Sequence, residues 1–247
     1  MSDPALELSI IIPAYNEEAL LGNTLTAAKS ALAECGITES SEVIVIDNNS
    51  TDATADIAKN FGASVVFEPV NQISRARNAG GHAARGRFLI FLDADTTLSA
   101  KLLGRALENL RTGTCSGGGV VIEMEHRMPA FVHAMVKTWN GIAANLGPAA
   151  GCSVYCLRDG FEEIGGFSEK VYAGEEIWFS RELKKWGKRK RLRFIVITDI
   201  PISTSSRKMV WYSPVQLSRG VAWVIFFPWL TRSKKFCRLW YDRPGQR

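Results

Sequence analysis

Cysteine and histidine are scarce in this chain of 247 residues, with five and three copies respectively. Cys152 and Cys156 lie four positions apart, but Cys35, Cys115 and Cys237 are distant in sequence, and no histidine-rich segment follows them. This spacing disfavours a zinc site and a disulfide framework. We therefore expect reduced thiols and a cytoplasmic protein.

Long hydrophobic runs are also missing. The longest candidate, 221–230, has ten residues and contains Pro228, whereas a transmembrane helix needs about 20 apolar residues. The first seven residues are largely polar and lead directly into a strand-like segment, so we expect no signal peptide.

The loop after the first apolar segment, residues 13–17, contains no glycine. A dinucleotide site of the Rossmann type requires G-x-G-x-x-G at this place. Gly117, Gly118 and Gly119 precede a strand-like segment and lack the lysine of a P-loop, so we expect them to form a turn. These absences disfavour a dinucleotide cofactor and a P-loop nucleotide site.

Short apolar segments alternate with segments of helical periodicity along the chain. The predicted strands are 8–12, 43–46, 65–67, 88–92, 120–124, 151–157 and 193–200. The predicted helices are 17–34, 53–61 with a cap at Ser50 or Thr51, 74–84, 102–110, 129–146 and 175–186. This alternation predicts an α/β fold with a Rossmann-like, mostly parallel sheet flanked by helices.

Three predicted strands end in polar loops, at residues 13–17, 47–52 and 93–95. The carboxyl ends of parallel strands meet at one edge of the sheet, where such folds bind ligands. Asp93 and Asp95 would repel each other there unless a cation is near, and a divalent metal with a phosphate-bearing ligand would satisfy both. The alternative is that Asp95 caps the next helix, since aspartate is common in turns and caps.

These loops resemble the donor half of glycosyltransferase family 2. The similar segments are 11–17 (IIPAYNE), 45–52 (VIDNNSTD), 76–78 (ARN) and 93–95 (DAD). Gly165-Gly166-Phe167 followed by Gly174-Glu175-Glu176 resembles the acceptor half, so the resemblance covers roughly residues 8–187. It implies the GT-A fold, a nucleotide-diphospho-sugar donor, Mg²⁺ or Mn²⁺, and inversion at the anomeric carbon.

The resemblance also implies roles for single residues. Tyr15 would lie against the base, Asp47 would bind its imide edge, and Arg77 would reach the nucleotide. Asp93 would contact the ribose or the metal, and Asp95 would ligate the metal. The remaining donor-loop residues implied in binding are Pro13, Ala14, Glu17 and Ala94.

Glu175 and Glu176 stand where the family usually has Glu-Asp. Glu176 would be the base that takes the acceptor proton, with Glu175 beside it. Because a glutamate is one methylene longer than an aspartate, the acceptor geometry would differ slightly. The alternative is that both are solvated acids in the first turn of a helix, where they favour the helix dipole.

Two departures from the family narrow the expectation. The Q-x-x-R-W signature of processive synthases is absent, which favours transfer of a single sugar, and no histidine follows His133. Residues 204–208 instead resemble a Ser-x-Arg-Arg element of some small bacterial members, so Arg207 and Lys208 would neutralise the diphosphate. The alternative is a solvated basic loop.

Positive charge is concentrated late in the chain. Residues 207–247 contain nine Lys or Arg, one Asp and four Trp, which gives +8, while the rest of the chain carries −3. This composition suits a segment lying on an anionic membrane surface, such as the inner face of a membrane, or alternatively a core helix with a basic outer face. Residues 184–193 carry seven further positive charges, which would be a solvated face or would meet a lipid-linked acceptor; we expect no nucleic acid.

The expected organisation is a glycosyltransferase domain over residues 1–206, with a donor half at 1–112 and an acceptor half at 113–206. A basic, Trp-rich and helical C-terminal segment would follow at 207–247. Two other functions stay open: a nucleotidyltransferase acting on sugar phosphates, and a nucleotide-sugar-binding protein without activity.

Overall fold

A curled mixed sheet forms the centre of the protein in a computed structural model, which describes residues 6–124, 130–146, 152–207, 211–212, 216 and 228–241. Within these ranges the strands are β1 Leu8–Ala14, β2 Ser41–Asp47, β3 Ser64–Phe67, β4 Phe88–Leu92, β5 Thr96–Thr97, β6 Cys115–Met124, β7 Ser153–Leu157, β8 Arg193–Phe194 and β9 Ile197–Thr204. The helices are α1 Leu21–Glu34, α2 Thr54–Asn60, α3 Ile73–Ala83, α4 Ala100–Arg111, α5 Ala130–Leu146, α6 Arg158–Ile164, α7 Glu175–Lys190 and the short α8 Arg238–Tyr241.

The strand order is β3-β2-β1-β4-β7-β6-β9-β5, with β8 also paired to β6. The first four strands are mutually parallel, β7 is antiparallel to both of its neighbours, and β9 is again parallel to β6. The predicted α/β class with a mostly parallel sheet is therefore confirmed. The parallel half brings the carboxyl ends of β1, β2 and β4 to one edge.

The core lies on both faces of this sheet. Ile10 and Ile12 of β1 pack against α1 and α4 on one face, while Ile11 points to the other face and packs with α3, α6 and α7. Successive strand residues point to opposite faces, so a strand covered on both sides reads as one continuous apolar run. The five residues of β4 are all buried for this reason.

Helix α1 begins at Leu21 and not at Glu17 as predicted. The Glu17 amide donates to Thr54 Oγ1 (2.7 Å) and the Glu18 amide to Asp52 Oδ2 (3.1 Å). The loop after β1 is thus bound to the loop after β2, and this tertiary contact replaces the first predicted turn of the helix.

The predicted cap of α2 at Ser50 or Thr51 is wrong, and the alternative role of Asp95 as a helix cap is excluded. Helix α2 begins at Thr54, whose amide donates to Asp52 Oδ1 (3.0 Å), whereas Ser50 Oγ accepts from the Asn16 amide (3.0 Å). Helix α4 is capped by Ser99, whose hydroxyl oxygen accepts from the Leu102 amide. Asp95 is therefore not the cap of the next helix.

The predicted turn at residues 117–119 is also wrong, since these glycines lie inside β6. A Cβ atom at Gly118 would overlap the Ile195 carbonyl oxygen and crowd the Tyr155 hydroxyl. Glycine is required here because other backbone approaches β6 closely.

The predicted late strand 193–200 is divided between β8 and β9, and the short strand β5 was not predicted. Lys208 and residues 221–227 of the apolar C-terminal run lie outside the described residues. No described helix has both the length and the apolar character needed to cross a bilayer.

Candidate active site

The loops after β1 and β2 form one platform at the carboxyl edge of the sheet. Asn16, in the left-handed region with φ 50°, accepts at its side-chain oxygen from the Thr51 amide (2.8 Å). The Asn48 amide donates to the Ala14 carbonyl (2.8 Å), and the Asn48 side chain donates to the carbonyls of Glu68 and Val70. The polar residues predicted as turn formers thus hold three loops in register.

A cavity of about 110 Å³ opens on this platform. Eight of the residues expected to bind the donor line it: Pro13, Ala14, Tyr15, Glu17, Asp93, Ala94, Asp95 and Arg207. The predicted edge of the sheet is therefore where these side chains meet.

Seven other residues line the cavity that the sequence did not single out as site residues: Asn48, Asn71, Ile73, Trp211, Leu239, Trp240 and Tyr241. Asn48 stands in a loop already recognised as polar, so its motif was a usable signal. Asn71 follows the short strand β3, and residues 239–241 reach the site from the C-terminal segment. No local pattern reveals such contacts.

Two expected donor residues, Asp47 and Arg77, do not line the cavity, and a third cannot be placed. Asp47 is 8% exposed and its Oδ1 accepts from the Ser50 amide (2.9 Å), so it lies at the base of its loop, and it does not line the cavity. Arg77 also lies behind the cavity wall. Lys208 falls outside the described residues.

Arg77 connects Asp93 to the start of α7. Its guanidinium donates to Asp93 Oδ1 (2.9 Å) and to Glu175 Oε1 (2.6 Å), and its side chain is only 4% exposed. Burial would lower the pKa of Arg77, but the charges of Asp93 and Glu175 more than offset this and raise it. Arg77 is thus a permanent buried cation that fixes both carboxylates.

Arg207 has the corresponding role on the other side of the cavity. It makes a two-pronged pair with Glu17 (2.7 and 2.9 Å) and a further hydrogen bond to Asp95 Oδ2 (3.1 Å). Its position follows from β5, because Thr96 pairs with Thr204 and the Asp95 carbonyl accepts from the Ser205 amide. The two aspartates are thereby each held by a different arginine.

Glu175 and Glu176 begin α7 in different surroundings. Glu175 is 3% exposed and is bonded to Arg77, whereas Glu176 is partly exposed. Burial, together with the negative charge of Glu175, raises the pKa of Glu176 to about 8. Since a general base works best with a pKa near the operating pH, the partial exposure and raised pKa of Glu176 are compatible with the role predicted for it.

Asn78 joins the segments that resemble the donor half and the acceptor half of the family. Its side-chain amide donates to the Phe167 carbonyl (2.9 Å) and accepts from the Phe167 amide (2.7 Å). Gly166 has φ 71°, and a Cβ there would come within 2.5 Å of Asn78 Oδ1. This contact fixes the segment before Glu175 against α3.

The acidic residues fit a divalent cation only in part. Among the described residues, no group of three or more His, Cys, Asp or Glu side chains is arranged to hold a metal. Asp93 and Asp95 offer hard carboxylate oxygens at the cavity. Mg²⁺ commonly takes one or two carboxylates and completes its shell with water and substrate phosphates. The residues present therefore fit a metal that shares its coordination with a bound diphosphate.

Comparison with known proteins points to one family. The sequence model of the protein family described as "Glycosyl transferase family 2" matches residues 9–142. Glycosyltransferase AglE of Haloferax volcanii is 27% identical over 70% of this chain and 60% of its own length. The undecaprenyl-phosphate 4-deoxy-4-formamido-L-arabinose transferase of Pseudomonas aeruginosa is 31% identical over 55% of this chain and 43% of its own length. The chain thus spans about half the length of these curated relatives.

A solved mannosyltransferase from Pyrobaculum calidifontis, in complex with GDP-Man and Mn²⁺, has the same fold. Its TM-score is 0.68 at 19% identity, over 96% of this chain and 71% of that chain. The GT-A arrangement expected from the sequence is confirmed by this likeness.

Proposed function

Since this chain belongs to glycosyl transferase family 2, we propose that it transfers one sugar from a nucleotide-diphospho-sugar to an acceptor hydroxyl or phosphate, with inversion and with Mg²⁺ or Mn²⁺. The observation that carries the proposal is the cavity at the ends of β1 and β4. It combines an aromatic ring, two aspartates and an arginine at one sheet edge. The related mannosyltransferase is named with GDP-Man and Mn²⁺, which supports a donor of this class.

The donor would lie along the platform of the three loops. Tyr15 provides a ring for the base, and Asp47 at the base of the neighbouring loop is the candidate acceptor for the imide edge. Arg207 would place positive charge beside the diphosphate, as would Lys208. Because Arg207 keeps its two bonds to Glu17, it would stay in position when the Asp95 contact is exchanged for a phosphate.

Glu176 would take the proton of the acceptor hydroxyl. The acceptor oxygen then forms a bond to the anomeric carbon from the face opposite the departing nucleoside diphosphate, and the bond between that carbon and the phosphate oxygen breaks. A direct displacement of this kind inverts the anomeric configuration. Arg77 would hold Glu175 in place beside Glu176, whose pKa is raised by burial and by the negative charge of Glu175.

Asp95 and Asp93 would hold the divalent cation together with the diphosphate. The cation would supply charge neutralisation on the leaving nucleotide. Arg77 and Arg207 orient the two carboxylates at the cavity, so the protein side of this coordination is already arranged.

The acceptor is proposed to be associated with a membrane. The Pseudomonas relative is named for undecaprenyl phosphate, a lipid phosphate. The C-terminal segment of this chain is basic and rich in tryptophan, which suits peripheral binding to an anionic surface. Release of the protein from membranes by high salt would test this association, because salt screens surface charges.

Product analysis with a panel of nucleotide sugars tests the function. Purified protein, Mn²⁺, each donor and a polyprenyl phosphate acceptor should give a glycosylated lipid and a nucleoside diphosphate, with the product anomer inverted by NMR. Release of pyrophosphate would instead identify a nucleotidyltransferase. Donor binding without turnover on lipid phosphates, small hydroxylated acceptors or water would identify a binding protein.

A further inference from the structure

Residues 228–241 lie across the proposed donor cavity; we call them the strap. Leu239, Trp240 and Tyr241 form one wall of the cavity, facing the loops after β1 and β4. The cavity volume of about 110 Å³ is small beside the roughly 300–1,000 Å³ of pockets that hold drug-sized ligands. A nucleotide-diphospho-sugar is of drug size and needs a pocket in that range. The strap therefore covers space that the donor needs.

Hydrogen bonds and a ring contact join the strap to the rest of the protein. The Tyr172 amide donates to the Thr231 carbonyl (2.6 Å), and the Ile73 amide donates to the Tyr241 hydroxyl (3.4 Å). The rings of Tyr172 and Tyr241 meet edge to face with centroids 5.9 Å apart. Most of the described strap residues are at least partly exposed, and such segments open at lower cost than the core.

Lys234 is a further fastening, and it is charged. Its Nζ donates to the Asn71 carbonyl (3.2 Å) and lies 5.0 Å from the centroid of the Tyr241 ring. Asn71 lies outside the strap on the cavity wall, whereas Tyr241 belongs to the strap, so the Asn71 contact is the one that holds the strap in place. An anion that attracts Lys234 would therefore loosen the strap at the cavity itself.

The outer surface of the strap is basic and aromatic. Trp229 is 60% exposed and Phe236 is 51% exposed. The strap contains four Lys or Arg residues and no Asp or Glu, and all four are exposed: Arg232, Lys234, Lys235 and Arg238. Val70, next to Asn71, adds a further exposed apolar side chain. Cationic residues interspersed with exposed aromatic rings match an anionic bilayer in charge and in polarity.

We infer that the strap closes the donor cavity in solution and that docking on an anionic bilayer opens it, with Lys234 exchanging the Asn71 carbonyl for a lipid phosphate. The inference rests on the proposed donor site. A ligand shifts a conformational equilibrium only through contacts that differ between the two states. Lys234 provides this difference, because its amine is engaged with the cavity wall when the strap is closed.

The test measures nucleotide affinity of the full chain with and without vesicles. UDP and GDP, each with Mn²⁺, are titrated in buffer, with phosphatidylcholine vesicles, and with vesicles containing 30% phosphatidylglycerol. For whichever of the two nucleotides the protein binds, we expect anionic vesicles to raise the affinity about 5–10-fold. Neutral vesicles should leave this affinity unchanged.

Lys234→Ala and Lys235→Ala form a matched pair, since both remove one exposed positive charge from neighbouring positions. Lys234→Ala should raise the affinity about 3–10-fold without vesicles and reduce the further gain from anionic lipid. Lys235→Ala should keep the wild-type affinity in solution and weaken only the vesicle binding. Equal behaviour of the two variants in solution would overturn the role of Lys234.

Amide hydrogen exchange follows the strap independently of nucleotide. The Ile73 and Tyr172 amides, which are bonded to the strap, should exchange faster with anionic vesicles. Unchanged exchange with vesicle binding intact would mean docking without opening, and it would overturn the inference. Sedimentation showing that the same surface pairs two copies of the chain would overturn it as well. Faster exchange with anionic vesicles, but without any nucleotide binding, would support the opening of the strap and contradict the proposed function.

Discussion

The two adjacent glutamates at the start of α7 should respond differently to replacement by glutamine. Glu176→Gln removes the proposed base but no ion pair, so donor affinity should stay within about twofold and turnover should fall by roughly 10²–10⁴-fold. Isothermal titration of the donor and steady-state transfer assays measure the two effects separately. A Glu176→Gln variant with wild-type turnover would exclude Glu176 as the base.

Glu175→Gln should act mainly through Arg77. Removing one partner of a buried ion pair typically costs about 3–5 kcal/mol, because the remaining charge is left uncompensated. The Arg77–Glu175 contact of 2.6 Å, with both side chains 4% exposed, is such a pair. We expect a lower urea midpoint together with weaker donor binding, since Arg77 also holds Asp93. A variant with unchanged stability but no turnover would reverse the assignment of the two glutamates.

The raised pKa of Glu176 predicts a pH dependence of stability. Between its usual pKa of 4.5 and the raised pKa of about 8, Glu176 holds more protons in the folded protein than in the unfolded chain. Stability from this group therefore falls as the pH rises through that window. Glu176→Gln should be more stable than the wild type at pH 8–9, by about 1 kcal/mol or more, with a difference that shrinks towards pH 5. Thermal unfolding at several pH values checks this, and a difference that grows towards pH 5 would contradict it.

Asp95→Asn should abolish the metal-dependent part of donor binding. An amide is a much poorer ligand than a carboxylate for a hard divalent cation. Arg207 should stay in place, since its two bonds to Glu17 do not involve Asp95. Donor titrations with and without Mn²⁺ measure the effect, and Glu18→Gln at the nearby exposed loop serves as the control. Equal Mn²⁺ dependence in Asp95→Asn and the wild type would remove Asp95 from the site.

At the scale of elements, Asn78 holds the segment around Phe167 against α3. Asn78→Ala would leave the Phe167 amide and carbonyl without this partner, and we expect a loss of about 2–4 kcal/mol. Urea unfolding should show a lower midpoint with an unchanged slope. Asn60→Ala, at the exposed end of α2, should stay within about 0.5 kcal/mol of the wild type. Similar losses of unfolding free energy in both variants would argue against a special role of Asn78 in holding the Phe167 segment.

Elements with a purely local signal were predicted well. Strand β4 was predicted with the bounds that the structure has, because its five residues are all apolar and a charged residue follows. The start of α1 was missed because Glu17 and Glu18 bind a loop more than 30 residues away. The glycines of β6 were misread as a turn, since the reason for them is the approach of Ile195 and Tyr155.

The candidate site also contains residues that the sequence could predict and contacts that it could not. The residues at strand ends could be predicted because parallel strands bring their carboxyl ends together. The pairing of Asp93 with Arg77 and of Asp95 with Arg207 could not, since it joins residues across 16 and 112 positions. Tyr241 likewise reaches the cavity through contacts with Ile73 and Tyr172, which are distant from it in sequence.

At the scale of the whole molecule, the cavity joins segments from both ends of the chain, from Pro13 to Tyr241. A ligand that binds only the folded protein stabilises it by RT ln(1 + [L]/Kd), which is about 2.7 kcal/mol at a hundredfold excess over Kd. For a domain of this size, each kcal/mol raises Tm by about 2–4 °C. A nucleoside diphosphate with Mn²⁺ should therefore raise Tm by about 5–10 °C. In Asp95→Asn the part of this shift that depends on Mn²⁺ should disappear. Differential scanning fluorimetry with nucleotide alone, metal alone and both separates the contributions, and an equal shift from Mn²⁺ alone would place the metal site elsewhere.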